Sequence, residues 1–140
     1  MLLKNKVAVI TGAASPRGLG FATAKLFAEN GAHVVIIDLD ETASEKAATS
    51  LGDKHLGLKA NVSDEQQVHA AIEQIIAKFG RIDVLVNNAG ITQPIKTLDI
   101  KRDNYDAVLD VSLRGTLLMS QAVIPAMRAQ NKGSIVCISS

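Results

Sequence analysis

The stretch Thr11-Gly12-Ala13-Ala14-Ser15-Pro16-Arg17-Gly18-Leu19-Gly20 decides the fold of this chain. It begins at the end of a β-branched run, residues 7–11, and leads into residues 19–30, which have the apolar pattern of a helix. Glycine lets the backbone turn tightly and approach a phosphate, and the start of a helix offers unpaired N–H groups and the positive end of a dipole. A glycine-rich turn from a strand into a helix therefore predicts a site for the pyrophosphate of a dinucleotide.

Strand-like and helix-like segments alternate along the rest of the chain. Further strands are predicted at 34–37, 55–60, 82–86 and 134–138, and further helices at 40–51, 64–79 and 103–130, the last with a kink at Pro125. Strands that are apolar on both faces and joined by helices indicate a parallel sheet covered on both sides. Right-handed crossovers then give a Rossmann-type, doubly wound α/β fold with the strand order 3-2-1-4-5.

Composition narrows the class of protein. The 140 residues are 47% hydrophobic, enough for one core, so we predict a single domain over residues 1–140. A net charge of +1 and the lack of a long basic cluster argue against nucleic-acid binding. The lone Cys137 lies in an apolar run and is predicted to be buried. None of the three histidines has a partner at ligand spacing, so no metal site is expected.

The sequence carries no pattern of a targeting or membrane segment. Residues 1–6 lack the apolar stretch of a signal peptide, and no later apolar run is long enough to span a membrane. A soluble cytoplasmic protein without a membrane partner is therefore expected.

Asp38, at the end of the second predicted strand, bears on which cofactor would bind. A carboxylate there can accept hydrogen bonds from ribose hydroxyls and would repel a 2′-phosphate, which favours NAD over NADP. Arg17 points the other way, because a cation in the loop could meet that phosphate. Asp38 could also cap the following helix, a role compatible with binding ribose. We give Asp38 more weight because its repulsion acts at short range, and we expect NAD, with NADP less favoured.

Four linked motifs resemble the short-chain dehydrogenase/reductase family. They are the glycine loop, Asp38, Asn88-Ala89-Gly90 after the fourth strand, and the segment 133–140, which reads Gly-Ser-Ile-Val-Cys-Ile-Ser-Ser. They cover the whole chain in the family's order. The resemblance extends to the 3-oxoacyl-carrier-protein reductase and the sugar or alcohol dehydrogenase branches.

The resemblance implies a role for each matching residue. The loop residues that would hold the cofactor are Gly12, Ser15, Arg17, Gly18, Leu19 and Gly20. After the third strand, Asn61 and Val62 would contact the adenine. After the fourth, the residues that would line the adenosine ribose and join the central strands are Asn88, Ala89 and Gly90, with Ile91 near the nicotinamide.

Two serines are the candidate catalytic residues that the resemblance implies. Ser140 matches the family's catalytic serine, which steadies the substrate by a hydrogen bond, and Ser139 is the neighbour with which it could be confused. Ser112 stands where many members carry an asparagine that supports a water-mediated proton relay. Its hydroxyl could hold the same water, or Ser112 could be a small residue packed in the helix.

The sequence departs from the family pattern in two further places. The glycine loop is two residues longer than the usual Thr-Gly-x-x-x-Gly-x-Gly, around Pro16 and Arg17, and this spacing resembles enoyl-reductase-type relatives. Asn61 stands where an aspartate is common, and an amide offers adenine a different donor and acceptor pattern.

The family's proton donor is a tyrosine with a lysine four residues later, about a dozen residues beyond the serine. The sequence ends at Ser140, and the only tyrosine, Tyr105, is followed four residues later by Leu109. Tyr105 is therefore expected to be a packing or surface residue. The chain is expected to lack the last strands and helices of the family fold and to be inactive alone.

The resemblance predicts an oxidoreductase that moves a hydride between NAD(H) and a secondary alcohol or ketone. One alternative is an enoyl reductase, and another is a catalytically silent dinucleotide-binding or regulatory protein. A small-molecule substrate is expected. The apolar helix after Asp103 is expected to join subunits in a homo-oligomer.

Overall fold

The computed structural model describes residues 1–139 and contains a parallel sheet between two layers of helices. The strands are β1 (Val7–Thr11), β2 (His33–Asp38), β3 (Leu56–Lys59), β4 (Val84–Asn87) and β5 (Ser134–Cys137). The helices are α1 (Leu19–Glu29), α2 (Glu41–Leu51), α3 (Glu65–Phe79), α4 (Arg102–Leu109) and α5 (Gly115–Ala129). A 3₁₀ turn spans Thr97–Asp99, and a π-helical turn, Asp110–Arg114, joins α4 to α5.

The five strands lie in the order β3-β2-β1-β4-β5 and every neighbouring pair is parallel. This confirms the predicted fold and strand order. Alternate residues of the central strands face opposite layers, as in any strand. In β1, Val7 and Val9 pack in the core under α3 and α5, whereas Ala8 and Ile10 pack in the core under α1 and α2.

Strand β4 begins two residues later than the pattern 82–86 predicts. The side chain of Gln130 binds both backbone groups of Ile82: its Oε1 accepts from the Ile82 N–H at 3.0 Å, and its Nε2 donates to the Ile82 carbonyl at 2.9 Å. Ile82 therefore finds its partners in a side chain rather than in a neighbouring strand.

Asp83 is a buried carboxylate at the amino ends of the central strands. It accepts hydrogen bonds from the Arg81 guanidinium at 2.6 and 2.8 Å and from the Val7 N–H at 2.9 Å. Burial alone would raise the pKa of Asp83, but these bonds and the charges of Arg81 and Lys6 bring it below its ordinary value. Asp83, which the Arg81 guanidinium holds in place, therefore joins the first residue of β1 to the residue before β4, at the end of the sheet away from the glycine loop.

The long helical segment begins at Arg102, ends at Ala129 and includes the π-helical turn, where the Gly115 N–H donates to the carbonyl of Asp110. Its 28 residues are long and apolar enough to cross a membrane by length and composition alone, so the expectation that no segment is long enough was wrong. One face of the segment, however, packs on the sheet through Met119, Val123 and Met127. A helix that packs on a sheet can have the same length and apolar composition, so these two properties alone do not indicate a membrane span.

Cys137 is exposed, not buried as predicted. It lies on β5, which pairs with β4 alone among the strands of residues 1–139. The apolar run around it indicated a central strand, whereas the strand order places it at an edge.

Candidate functional site

A cleft of about 130 Å³ lies at the carboxyl ends of the strands. The residues that line it are Gly12, Ile37, Asp38, Leu39, Ala60, Asn61, Val62, Ala89, Gly90, Ile91 and Val111. These residues come from the end of β2, from the loops after β1, β2, β3 and β4, and from the π-helical turn. The carboxyl edge of a parallel sheet, where the chain reverses its winding direction, is the usual place for a ligand in this class of fold.

The glycine loop packs tightly against the loop after β4. Gly12 has φ of +64°, and a Cβ on it would lie 2.8 Å from the Cα of Ala89. A Cβ on Gly20 would lie 2.5 Å from Nδ2 of Asn88 and 2.7 Å from the Gly12 carbonyl oxygen. The two glycines are therefore required by the protein's own packing. A Cβ on Gly18 has more room, since its nearest neighbour is the Ser15 carbonyl oxygen at 3.3 Å.

The amino terminus of α1 differs from those of α2 and α3. Asp40 caps α2 by accepting from the Ala43 N–H, and Asp64 caps α3 by accepting from the Gln67 N–H. Helix α1 begins after Gly18 with no side-chain cap and no acidic residue in its first turn. Its first N–H groups are thus left for an acceptor from outside the chain, as pyrophosphate binding requires.

Asp38 lies at the end of β2 and its two carboxylate oxygens hold adjacent backbone groups. Oδ2 accepts from the Ala14 N–H of the glycine loop at 3.0 Å, and Oδ1 accepts from the Leu39 N–H at 2.8 Å. Each carboxylate oxygen has a second lone pair, so Asp38 can still accept from a ligand hydroxyl. Its carboxylate is therefore both part of the loop's structure and a wall of the cleft.

The inserted part of the glycine loop is exposed. Ser15, Pro16 and Arg17 lie on the surface, and Arg17 makes no ion pair within residues 1–139. Leu19, the first residue of α1, is also exposed. These residues form the outer rim of the loop, and its closely packed inner side is formed by Gly12 and Gly20.

A hydrogen-bond network joins the end of β1 to the loop after β4. The Thr11 hydroxyl oxygen accepts from the N–H groups of Asn88 at 3.1 Å and Ala89 at 3.0 Å. Nδ2 of Asn88 donates to the carbonyls of Thr11 at 3.1 Å and Gly12 at 3.0 Å. The side-chain amide of Asn88 therefore joins the central strands, and the cleft is lined here by Ala89 and Gly90.

Asn61 and Val62 follow β3 and lie on the wall of the cleft. Val62 is buried against the start of α5, where a Cβ on Gly115 would lie 2.5 Å from Cγ2 of Val62. The absence of a side chain on Gly115 lets the helix approach the end of β3. This contact fixes the position of Val62 in the cleft wall.

Ser112 lies in the π-helical turn, is exposed, and faces the loop after β4. Its Oγ is 3.5 Å from the position that a Cβ on Gly90 would take. Its carbonyl accepts from the Thr116 hydroxyl at 2.9 Å. Single π turns are frequent at functional sites because they shift side chains out of the regular helical pattern. Ser112 is thus close to the cleft, and its catalytic role stays a prediction.

The second candidate catalytic residue, Ser140, lies outside the described residues. Its neighbour Ser139 is exposed and follows β5 at the same edge of the sheet as the cleft. Whether Ser139 or Ser140 acts on a substrate therefore stays a prediction. Tyr105 is exposed on α4, as expected of a surface residue.

Several residues of the site were not singled out from the sequence. Thr11 belongs to the glycine motif but has no predicted role of its own, and the cleft-lining residues without a predicted role are Ile37, Leu39, Ala60 and Val111. All but Val111 adjoin a residue that was predicted to bind, at the end of a predicted strand. Position in the strand was therefore an available signal for them. Val111 had no such signal, because its place depends on the π-helical turn.

The sequence matches known proteins over nearly its whole length. A family model described as short chain dehydrogenase matches residues 6–140. An uncharacterised short-chain type dehydrogenase/reductase of Sinorhizobium fredii is 46% identical over 144 aligned residues, which cover 100% of this chain and 57% of that protein. A 3-oxoacyl-[acyl-carrier-protein] reductase of Thermotoga maritima is 43% identical, with 100% of this chain and 57% of that protein covered.

A further relative has a sugar alcohol in its name. Galactitol 2-dehydrogenase of Agrobacterium fabrum is 41% identical, with 95% of this chain and 51% of that protein covered. The chain therefore spans little more than half the length of the curated relatives that it matches.

Proposed function

The chain belongs to the short-chain dehydrogenase family, and we propose that it forms the NAD(H)-binding part of an oxidoreductase. The proposed enzyme moves a hydride between NAD(H) and a secondary alcohol or ketone. The observation that carries this proposal is the glycine loop, which lines the cleft through Gly12, is bound by Asp38 and leads into the uncapped start of α1.

The residues present fit a dinucleotide. The N–H groups at the start of α1 suit a pyrophosphate, and the bend at Gly12 brings the backbone close to it. Asp38 would accept from the adenosine ribose, while Asn61 and Val62 would contact the adenine. Ala89 and Gly90 would lie under the ribose, with Ile91 near the nicotinamide. Hydride transfer is the chemistry that such a cofactor supplies when bound, and the chain supplies its orientation.

Asp38 supports NAD rather than NADP. A 2′-phosphate on the adenosine would have to stand beside a carboxylate whose oxygens already hold the Ala14 and Leu39 N–H groups. The carboxylate cannot turn away without breaking these bonds, so the repulsion is fixed in place. Arg17 lies on the exposed rim of the loop and offers a weaker, solvent-screened attraction.

The substrate class follows from the family and from the names of two relatives. One relative is named for the reduction of a 3-oxoacyl group and another for the oxidation of galactitol at carbon 2. Both names describe the interconversion of a ketone and a secondary alcohol. We propose the same class of substrate here, with Ser140 orienting the substrate and Ser112 holding a water molecule. The residues 1–140 contain no Tyr-x-x-x-Lys, so the proposal takes the proton donor from outside them.

Two further parts of the proposal concern the whole protein. We propose a homo-oligomer joined through the long helical segment Arg102–Ala129, whose outer face carries exposed leucines. We also propose that the protein works in the cytoplasm without a membrane partner. The packing of this segment on the sheet supports a soluble role for it.

The cofactor proposal is tested by fluorescence titration of NADH and NADPH into the polypeptide expressed over its whole reading frame. NADH is expected to bind at least about tenfold more tightly, since the penalty is a close like-charge contact. Asp38→Asn, which keeps an acceptor for Ala14 but removes the charge, is expected to remove most of this difference. Asp40→Asn, two residues away, is the matched control and should leave the ratio unchanged.

Two outcomes would contradict the proposal. Tighter binding of NADPH than of NADH would overturn the assignment of Asp38. Failure of both dinucleotides to bind a folded protein would overturn the dinucleotide site itself.

A further inference from the structure

Among residues 1–139, two polar side chains line the cleft, those of Asn61 and Asp38. The remaining side chains of the cleft wall are aliphatic and can offer a base only van der Waals contact. Asp38 stands at the end of β2, where the ribose is proposed to bind. Any side-chain hydrogen bond to the base in the part of the cleft beyond β3 would therefore come from Asn61.

The side-chain carbonyl of Asn61 is already occupied. Its Oδ1 accepts from the Ser63 N–H at 3.0 Å and from the Ser63 hydroxyl at 2.7 Å. A backbone N–H can only donate, so the atom that faces it must be the oxygen and not the nitrogen of the amide. With two hydrogen bonds on one carbonyl oxygen, both of its lone pairs are in use.

The backbone of Asn61 is held as firmly as its carbonyl. The backbone N–H of Asn61 donates to Oε1 of Gln67 at 2.9 Å, and the backbone carbonyl of Asn61 accepts from the Asp64 N–H at 3.0 Å. Gln67 is itself held by Asp64, the cap of α3. Within residues 1–139, Nδ2 is the only polar group of Asn61 without a partner. Asn61 therefore offers the cleft hydrogen-bond donors and no acceptor.

A site that offers only a hydrogen-bond donor discriminates less between adenine and hypoxanthine than a site that offers an acceptor. Adenine presents an amino group at C6 and acceptors at N1 and N7, whereas hypoxanthine presents an oxygen at C6 and keeps the acceptor N7. A carboxylate at position 61 would recognise the amino group of adenine and be repelled by the C6 oxygen of hypoxanthine. The fixed amide of Asn61 can donate to N1 or N7 of adenine, and equally to O6 or N7 of hypoxanthine.

We propose that Asn61, locked by Ser63, gives the base subsite a side-chain donor and no side-chain acceptor, so that the subsite does not require the C6 amino group. The inference rests on the proposed dinucleotide function and specifies the base class: a 6-oxopurine dinucleotide is accepted about as well as the adenine one. Ser63 acts as a positioning residue, because it fixes which end of the amide faces the cleft.

The experiment compares NADH with its hypoxanthine analogue by fluorescence titration of the polypeptide expressed over its whole reading frame. For the unsubstituted protein the two dissociation constants are expected to agree within about threefold. Asn61→Asp retains an oxygen for Ser63 and turns the second oxygen to the cleft. Its preference for NADH over the analogue is expected to rise about tenfold, the worth of one charge-assisted hydrogen bond.

Asn104→Asp is the matched control. It makes the same change of charge and shape at the cap of α4, where Oδ1 of Asn104 accepts from the Lys101 N–H, and it should leave the preference unchanged. Because both dinucleotides carry the same charge, the ratio of their dissociation constants is insensitive to the added carboxylate's general repulsion. Thermal denaturation of each variant without ligand establishes that it is folded.

Each result decides between the two proposals. More than tenfold tighter binding of NADH by the unsubstituted protein, or an unchanged ratio in Asn61→Asp, would overturn the base inference while leaving the dinucleotide site intact. Failure of both ligands to bind would overturn the proposed function and the inference together.

Discussion

At the scale of single residues, His55 shows how a buried polar side chain adds a pH dependence to this fold. Its Nδ1 accepts from the backbone N–H of Val34 at 3.0 Å, so that nitrogen must be unprotonated. Burial lowers the pKa of His55 below its ordinary value of 6.5, and the charges of Lys54 and His33 lower it further. A hydrogen bond with the Leu51 backbone acts in the opposite direction but is the smallest of these effects.

The lowered pKa predicts a loss of stability in weak acid. In the unfolded chain His55 takes up a proton as pH falls through about 6.5, whereas in the folded chain it stays neutral until a lower pH. Protonation therefore favours the unfolded chain, and the free energy of unfolding decreases as pH falls through 6.5. The decrease ends below the lowered pKa of the folded state. Urea denaturation at pH 7.5 and pH 5.5 should show a difference on the order of 1 kcal/mol, the worth of the bond to Val34.

Replacement of the imidazole separates His55 from the other titrating groups. His55→Asn keeps an acceptor in the position of Nδ1 but does not titrate, so it should remove most of the pH dependence. His69→Asn changes an exposed histidine on α3 and should retain it. A pH dependence that persists unchanged in His55→Asn would contradict the assignment.

What sequence could predict at this scale depends on how local each interaction is. Asp38 is predicted to bind a cofactor because it follows an apolar strand, and the structure places it on the wall of the cleft. Its bond to Ala14, 24 residues away, depends on how the loop folds back and has no sequence signal. In the same way, the sequence shows an amide at position 61 in place of the family's common aspartate, but it does not show the two hydrogen bonds from Ser63 to Oδ1 of Asn61.

At the scale of elements, the approach of α1 to the loop after β4 depends on Gly20. In an exposed helix, glycine is less favourable than alanine by about 1 kcal/mol, so Gly→Ala would normally stabilise. Here a Cβ would lie 2.5 Å from Nδ2 of Asn88 and 2.7 Å from the carbonyl oxygen of Gly12. Backbone cannot move aside as a flexible side chain can, and the helix would have to shift.

Gly20→Ala is therefore expected to destabilise the fold by about 1–3 kcal/mol, the usual cost of overpacking. Urea denaturation of Gly18→Ala provides the comparison, because its Cβ would have 3.3 Å to the nearest atom and should cost less than about 1 kcal/mol. NADH titration of both variants should show the larger loss for Gly20→Ala. Equal stability of the two variants would refute the close-packing argument.

The pattern of apolar residues predicts the long helix but not the irregular turn within it. The segment 103–130 was correctly predicted as helical, because its apolar residues recur at helical spacing. The π-helical turn Asp110–Arg114 was not predicted, since one extra residue in a turn leaves the composition of the helix unchanged. This turn places Ser112 beside Gly90 and Val111 in the cleft, so part of the candidate site depended on it.

At the scale of the whole molecule, the strand order could be predicted because it follows from general rules. Strands that follow one another in the sequence are joined by helices, and right-handed crossovers leave few possible strand orders. The exposure of Cys137 on β5 could not be inferred in the same way. An apolar strand has the same composition at the centre of a sheet and at its edge, and only the packing of other elements distinguishes the two.

The long helical segment presents two apolar stripes, one buried and one exposed. The inner stripe, Met119, Val123 and Met127, is buried on the sheet. The outer stripe, Leu113, Leu117 and Ile124, has side chains that are 64%, 54% and 39% exposed. Exposed apolar residues that recur on one face of a helix form the kind of surface that a partner protein can cover. The homo-oligomer proposal assigns this outer stripe to a second copy of the protein.

Leu117→Glu tests this assignment, because a carboxylate at the centre of the outer stripe would be buried without a partner on association. The variant of the whole reading frame is expected to sediment at a smaller mass than the unsubstituted protein, with an unchanged circular dichroism spectrum. Leu98→Glu makes the same change at a residue that is 98% exposed and lies outside the stripe, and it should leave the mass unchanged. If Leu117→Glu assembles as the unsubstituted protein does, the subunits meet elsewhere and the assignment of the outer stripe is wrong.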